Sequence, residues 1–185
     1  VYDCNRPPSA ASAMPPVSEI FPIPGNQNLS DDARSERGER VYNPFHAAVG
    51  SVIEKRVAAG ASPAIVTIHS FTPTYHGAGR PFEIGILHDE DPRLADAMLE
   101  RAEAFEGLDV RRNEPYGPAD GVTHTLQKHA LPRGLLNVMI EIRNDVIRQP
   151  SEQTVMAQVF ADVIRDAIGC SSAPVSHKAQ EVGDA

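Results

Sequence analysis

The stretch AIVTIHSFTP, residues 64–73, decides the fold of this chain. Its apolar, β-branched start predicts a buried strand, which gives way to a loop before Pro73. His69 lies near the end of that strand, where ligand sites of α/β proteins collect, and a fixed imidazole there is suited to bind a metal. The position alone is weak support, because a single histidine at a strand end is more often a hydrogen-bonded structural residue.

Outward from this strand, the spacing of apolar residues predicts alternating strands and helices. Several strands are apolar throughout, which indicates an α/β sandwich whose sheet is covered on both faces. Asp91 is a predicted helix cap, and Gly60 and Gly169 are predicted helix stops. Further strands are predicted at residues 82–88, 108–111 and 135–142, and helices at 40–59, 92–105, 123–130 and 151–169.

The N-terminal part has little periodicity. Residues 1–3 begin abruptly, as if partway through a strand, so we expect the start to be an internal cut. Residues 6–37 are rich in Pro, Ser, Asn and Asp and read as a long loop, which is either a lid over a ligand pocket or a solvated connection. We expect residues 1–169 to form one domain and residues 170–185 to form a flexible tail.

Composition narrows the possible partners. The chain has 185 residues, 41% of them hydrophobic, and a net charge of -8, which argues against nucleic acid and favours a small-molecule ligand. It has no apolar run of about 18 residues, so we expect a cytoplasmic protein that does not enter a membrane. Cys4 and Cys170 are too few for a disulfide framework, although one bridge stays open. A metal site would therefore rely on histidine and carboxylate ligands.

Two pairs of residues are candidates for chemistry. Strand alternation places Glu141 and Arg143 on one face, either as an ion pair or with Glu141 as a general base that activates water beside a metal. Asn5 and Arg6 offer an amide and a guanidinium in adjacent positions, suited to grip a substrate carboxylate. A loop anchor that caps backbone carbonyls is an equally good interpretation of that second pair.

Five motifs occur together and resemble one family. They are DxNRP from Asp3, IHSFTP from Ile68, RPFEIGIL from Arg80, NEPY from Asn113 and IEIRND from Ile140. In this order they resemble the N-formylglutamate amidohydrolase family, from Val1 to about Ala167, and more remotely the zinc carboxypeptidase and aspartoacylase group. The resemblance implies a three-layer α/β/α sandwich with a mixed, mostly parallel sheet, similar to zinc exopeptidases in the phosphorylase/hydrolase-like class.

The resemblance also implies a reaction and a role for each matched residue. The reaction is zinc-dependent hydrolysis of the N-acyl amide of an acidic amino acid, giving formate and glutamate from N-formylglutamate. His69 would be a zinc ligand and Glu141 the base, while Asn5 and Arg6 would hold a substrate carboxylate. Further substrate contacts are expected from Arg143, which would orient the base or bind a second carboxylate, and from the hydroxyl of Tyr116.

One departure from the family keeps other functions open. The resemblance places a further histidine and a glutamate ligand upstream of the DxNRP motif, before residue 1, so we expect the chain to be truncated. His124 and His129 are five residues apart and make a poor ligand pair, whereas His46 could line the cleft. The rival hypotheses are a carboxylate-binding module without metal and the same chemistry on another N-acyl amino acid. The sequence does not indicate an oligomeric state.

Overall fold

A four-stranded sheet lies at the centre of a computed structural model that describes residues 1–171. The strands are β1 (Val17–Ser18), β2 (Phe21–Pro22), β3 (Ile65–Phe71), β4 (Thr74–Tyr75), β5 (Ala78–Gly79), β6 (Ile84–Leu87), β7 (Val110–Arg112) and β8 (Asn137–Arg143). The α-helices are α1 (Asp31–Arg37), α2 (Asn43–Ala58), α3 (Arg93–Leu99), α4 (His124–His129) and α5 (Pro150–Ser171). A π-helical turn (Gly38–Tyr42) joins α1 to α2, and short 3-10 turns lie at Ala11–Ala13, Pro24–Asn26, Ala102–Ala104, Pro118–Asp120, Leu131–Arg133 and Asn144–Val146.

The central sheet has the strand order β3-β8-β6-β7. β3 is parallel to β8 and β6 is parallel to β7, whereas β6 and β8 are antiparallel. Two of the three pairings are therefore parallel, which confirms the mixed, mostly parallel sheet. The pairs β1/β2 and β4/β5 form small antiparallel hairpins outside it.

Helices cover both faces of this sheet, as a three-layer sandwich requires. Alternate residues of β8, Val138 and Ile140 among them, pack against α3 and α5 in the larger core. Met139 faces the other way and packs with Leu126 of α4. Ile53 of α2 joins that second face through Ala130, Leu135 and Ile65. All four strands and four helices expected from the apolar spacing are present in this structure, with shifted ends.

One helix lies where only a loop was predicted. α1 occupies part of the 6–37 segment, and none of its residues is buried, so it has no apolar stripe that a spacing argument could detect. Ser30 caps it by accepting a hydrogen bond from the Ala33 N–H at 3.2 Å. Two aspartates in its first turn complement the positive end of the helix dipole. Local capping therefore stabilises α1, which gains no stability from burial in the core.

The helix ends confirm one predicted stop and correct another. Gly60 follows α2 with a left-handed φ of 79°, as a glycine stop requires. The predicted stop at Gly169 is wrong, because α5 runs through it to Ser171. The predicted partial strand at residues 1–3 is also wrong, since these residues are irregular. The expected flexible tail from residue 170 lies, beyond Ser171, outside the described residues.

Within residues 1–171, no helix is both long enough and apolar enough to cross a bilayer. Cys4 and Cys170 are both free thiols in this structure.

Candidate active site

The parallel pairing of β3 with β8 places His69 directly beside Glu141. Both line a cavity of about 410 Å³ near the carboxyl ends of the two strands, a size typical of small-molecule sites. The other lining residues are Asp3, Asn5, Arg6, Pro15, Val17, Ser18, Glu19, Tyr75, Tyr116, Val122 and Met139. The structure thus brings together five of the six residues that the sequence predicts for the site.

Glu141 is a buried acid at this cavity, with only 3% of its surface exposed. Its Oε2 is buried and has no hydrogen-bond partner among the described residues. Burial raises the pKa of Glu141 from 4.5 to about 7, and the positive charge of Arg80 opposes part of that rise. A carboxyl group that titrates near neutral pH is matched to accepting a proton and returning it.

His69 is half-buried beside this acid. Burial lowers the pKa of His69 below its ordinary value, while the negative charge of Asp3 raises it and the positive charge of Arg6 lowers it further. The imidazole is therefore neutral at neutral pH. The neutral form is the one that binds a metal or accepts a proton.

Asn5 makes the contacts expected of a loop anchor. Its Nδ2 donates to the Val122 carbonyl, and its Oδ1 accepts from both the backbone N–H and the hydroxyl of Thr125, at 3.0 and 2.7 Å. These bonds fix the N-terminal segment to the start of α4. One N–H of the amide is left over for the cavity. A part for Asn5 in substrate binding stays a prediction.

Arg6 lies next to Asn5 in the cavity wall and is less fully engaged. Its Nη1 donates to the Asp120 carbonyl, and its Nε lies 3.6 Å from a carboxylate oxygen of Asp3. A guanidinium has five N–H donors, so donors remain for a carboxylate that enters the cavity. Arg6 thus anchors the loop through the Asp120 carbonyl, and its part in gripping a substrate carboxylate stays a prediction.

Arg80 is a neighbour of the site that the sequence reasoning missed. Its Nη2 donates to the Tyr116 hydroxyl at 3.1 Å, so the hydroxyl predicted to contact substrate is held by this arginine. Its charge also acts on Glu141. The signal was available, because Arg80 opens the RPFEIGIL motif, but no spacing rule relates a loop arginine to a tyrosine 36 residues later.

Arg143, the sixth predicted residue, makes its contacts away from the cavity. Its Nε donates to Asp145 at 2.7 Å and its Nη2 pairs with Glu83 at 2.9 Å. Its Nη1 donates to the carbonyls of Arg80 and Phe82, at 3.0 and 3.1 Å. Every nitrogen of the guanidinium thus has a protein partner. The predicted roles in orienting Glu141 or binding substrate stay untested.

A group of histidines outside the cavity lining hydrogen-bonds to the N-terminal segment through His46. His46 Nε2 lies 2.9 Å from the Cys4 carbonyl and therefore donates, which leaves Nδ1 to accept from His129 Nε2 at 2.8 Å. Burial, then the charge of His46, lowers the pKa of His129 to about 4. The His124 ring packs edge-on against His46, with ring centroids 5.5 Å apart, and its Nε2 lies 2.7 Å from the Tyr42 hydroxyl. His46 thus holds Cys4, the residue that precedes Asn5, and is not itself among the residues that line the cavity.

The described residues do not complete a metal site. Within residues 1–171, no three His, Cys, Asp or Glu side chains form a group that could hold an ion. A catalytic zinc normally takes three protein ligands and a water. His69 is the one ligand predicted for it in this part of the chain, so the described residues fit zinc incompletely.

Fold and cavity together define the class of protein. A helix-covered mixed sheet, with a polar cavity at the carboxyl ends of two parallel strands, is typical of α/β enzymes that act on small molecules. Residues 1–148 match the sequence profile of the family N-formylglutamate amidohydrolase. The chain therefore belongs to the N-formylglutamate amidohydrolase family, whose enzymes hydrolyse amides.

Two solved structures share the fold of this chain. The gene product Atu2144 from Agrobacterium tumefaciens is 57% identical, with a TM-score of 0.87, over 91% of this chain and 67% of that one. The N-formylglutamate amidohydrolase from Ralstonia eutropha JMP134 is 19% identical, with a TM-score of 0.63, over 91% of this chain and 72% of its own; at that identity it supports the fold alone. A search of curated proteins gave no significant match.

Proposed function

We propose that this cavity hydrolyses the N-formyl amide of an acidic amino acid such as N-formyl-L-glutamate, giving formate and glutamate. The observation that carries the proposal is Glu141, a buried acid with an unpartnered oxygen and a pKa of about 7 at the cavity. Family membership supports amide hydrolysis in general. The acidic substrate is favoured by the arginine donors left over at Arg6.

Glu141 is the proposed acid–base group. Above pH 7 its carboxylate accepts a proton from the water that attacks the formyl carbon, and the acid so formed returns it to the leaving nitrogen. One residue can do both because its pKa lies near the operating pH. The unpartnered Oε2 leaves an oxygen available for that proton.

Arg6 is the proposed binding residue for one substrate carboxylate, with Asn5 beside it. Charge-assisted hydrogen bonds from a guanidinium fix a carboxylate in two directions. The anchoring bonds of Asn5 to Val122 and Thr125 hold this pair in place before substrate arrives. The Tyr116 hydroxyl is the proposed contact that closes over the substrate.

Zinc dependence is part of the proposal and rests on His69. A neutral imidazole beside the proposed base is the ligand form that zinc takes, although residues 1–171 do not offer a full ligand set. A zinc held by His69 would polarise the amide carbonyl and would lower the pKa of a water bound to it. The roles proposed for Glu141, Arg6 and Tyr116 are roles of these side chains and are not assigned to the metal.

The test is formate release from N-formyl-L-glutamate, measured with the zinc content of the same purified sample. We expect Glu141→Gln to lose hydrolysis but keep its metal, and His69→Ala to lose both. Glu106→Gln, on an exposed carboxylate, is the matched control and keeps activity. Loss of zinc with Glu141→Gln would show that Glu141 is a ligand instead of the base.

Two other results would redirect the proposal. Zinc without formate release, but with hydrolysis of N-acetyl-L-glutamate, would indicate the same chemistry on another acyl group. Neither metal nor hydrolysis, even after zinc is supplied, would favour the carboxylate-binding module.

A further inference from the structure

A substrate with two carboxylates needs a second cationic partner besides Arg6. This inference rests on the proposed function, in which the substrate is an N-acyl derivative of an acidic amino acid. Arg143 was the predicted second partner, but Glu83, Asp145 and two backbone carbonyls already engage all of its nitrogens. These contacts use four of its five N–H donors and pair its charge with two carboxylates, which leaves Arg143 poorly suited to bind a third carboxylate.

Arg80 has the features that Arg143 lacks. Its guanidinium carbon lies 4.6 Å from the ring centroid of Tyr75, 5.1 Å from that of Tyr116 and 5.6 Å from that of Phe71. Such contacts restrict the guanidinium without occupying its N–H groups, which stay available to hydrogen-bond acceptors. No carboxylate among residues 1–171 lies within 4.0 Å of Arg80.

The guanidinium of Arg80 also has donors to spare. One N–H is given to the Tyr116 hydroxyl at 3.1 Å and one approaches the Thr72 carbonyl at 3.4 Å. Three of its five donors therefore remain. Tyr75 and Tyr116 both line the cavity, so Arg80 adjoins the same cavity as Arg6.

We propose that Arg80 binds the second carboxylate of the substrate and thereby makes the site selective for acidic N-acyl amino acids. The three rings hold the cation in place before binding, so little side-chain entropy is lost when the carboxylate arrives. A neutral amide in place of that carboxylate forms weaker hydrogen bonds with the same donors.

The test compares N-formyl-L-glutamate with N-formyl-L-glutamine, which differ only in having a carboxylate or a neutral amide at the end of the side chain. For Arg80→Gln we expect kcat/KM for the glutamate substrate to fall about tenfold or more, because charged hydrogen bonds are lost, and kcat/KM for the glutamine substrate to fall clearly less. Each variant is assayed at the plateau of its own pH profile, so that a shifted pKa of Glu141 does not enter. An equal fall for both substrates would overturn the proposal.

Two further variants separate charge from packing. Arg80→Lys keeps the charge and should recover part of the preference for glutamate. Arg111→Gln is the matched control, because Arg111 also lies over a ring, 5.1 Å from Phe82, but is paired with Asp109 and Glu114. We expect Arg111→Gln to leave the ratio of the two kcat/KM values unchanged.

Binding of glutarate tests Arg80 without relying on hydrolysis. Glutarate carries two carboxylates and no amide, so calorimetry with it measures binding of the carboxylates without any reaction. We expect Arg80→Gln to weaken this binding about tenfold or more, with melting curves showing that the variant is folded. Unchanged glutarate affinity would refute the role of Arg80 even if formate release is observed. Weakened affinity without formate release would overturn only the proposed reaction.

Discussion

His69 and Glu141 lie side by side as register partners on the parallel strands β3 and β8, and burial drives both towards their neutral forms. The pKa of His69 is lowered and that of Glu141 is raised to about 7. Near pH 7 the pair therefore changes charge mainly through Glu141. Ionising this buried acid lowers the free energy of unfolding, so the same carboxyl group affects both the stability of the protein and the proposed reaction.

The first prediction is that Glu141→Gln stabilises the protein at neutral and alkaline pH. The pKa of Glu141 is higher in the folded protein than in the unfolded chain. Below pH 4.5 the group is protonated in both states and does not affect the free energy of unfolding. As pH rises from 4.5 towards 7 the unfolded chain ionises first, so the folded protein loses stability. The interval from 4.5 to about 7, at about 1.36 kcal/mol per pKa unit, gives a gain of about 3 kcal/mol above pH 7.

Urea unfolding at pH 4 and pH 8 measures this difference. We expect the variant and the parent to agree at pH 4 and to separate at pH 8. Glu106→Gln, on the surface, should match the parent at both pH values. A parent that is more stable than Glu141→Gln at pH 8 would mean that the carboxylate has a stabilising partner.

The second prediction concerns the pH dependence of hydrolysis. A general base works only when it is deprotonated, so kcat/KM should rise with pH through about 7, the pKa of Glu141. The positive charge of Arg80 opposes the effect of burial on this pKa, so Arg80→Gln should move the rise to higher pH. The measurement is a pH profile with N-formyl-L-glutamine, in which the second carboxylate plays no part. If kcat/KM of the variant rises at the same pH as that of the parent, the charge of Arg80 does not affect the pKa of Glu141.

The third prediction is that Arg143 stabilises the fold and does not bind substrate. Arg143→Gln loses its partners Glu83 and Asp145, and charged hydrogen bonds of this kind are worth about 1.5 to 3 kcal/mol each. We expect a clearly lower melting temperature with KM unchanged when the assay is run below it. Arg165→Gln, which removes an exposed pair with Asp162, should change neither. A raised KM with an unchanged melting temperature would restore the substrate-binding role.

The sequence predicted strands and helices well wherever burial imposes a period. β8 is the clearest case, because strand alternation puts Glu141 on the same face as Met139, and both line the cavity. Where no burial pattern exists the prediction failed, as at α1, which depends on the cap at Ser30. Periodicity also could not predict that Arg143 is engaged by other protein groups while Arg80 keeps free donors. The residues that engage Arg143, such as Glu83, lie in loops, where apolar spacing carries no information.

The last prediction concerns Gly85, which is the β6 register partner of Glu141. A Cβ at this position would lie 1.9 Å from the backbone oxygen of Glu114 and 2.8 Å from a methyl carbon of Leu87. The chain just before Tyr116 therefore packs directly on Gly85, and only a residue without a side chain allows it. Gly85→Ala should displace this segment, destabilise the protein by about 1 to 3 kcal/mol and reduce hydrolysis through the moved Tyr116.

Gly169→Ala is the matched control for that substitution. Gly169 lies inside α5 with open space where its Cβ would be, so alanine should leave activity unchanged and raise stability by roughly 0.5 to 1 kcal/mol through helix propensity. Thermal melting and formate release on the two variants decide the matter. If Gly85→Ala melts with the parent and keeps its kcat/KM, the Glu114 backbone can yield at no cost, and the wall of the cavity at Tyr116 is not set by the close approach at Gly85.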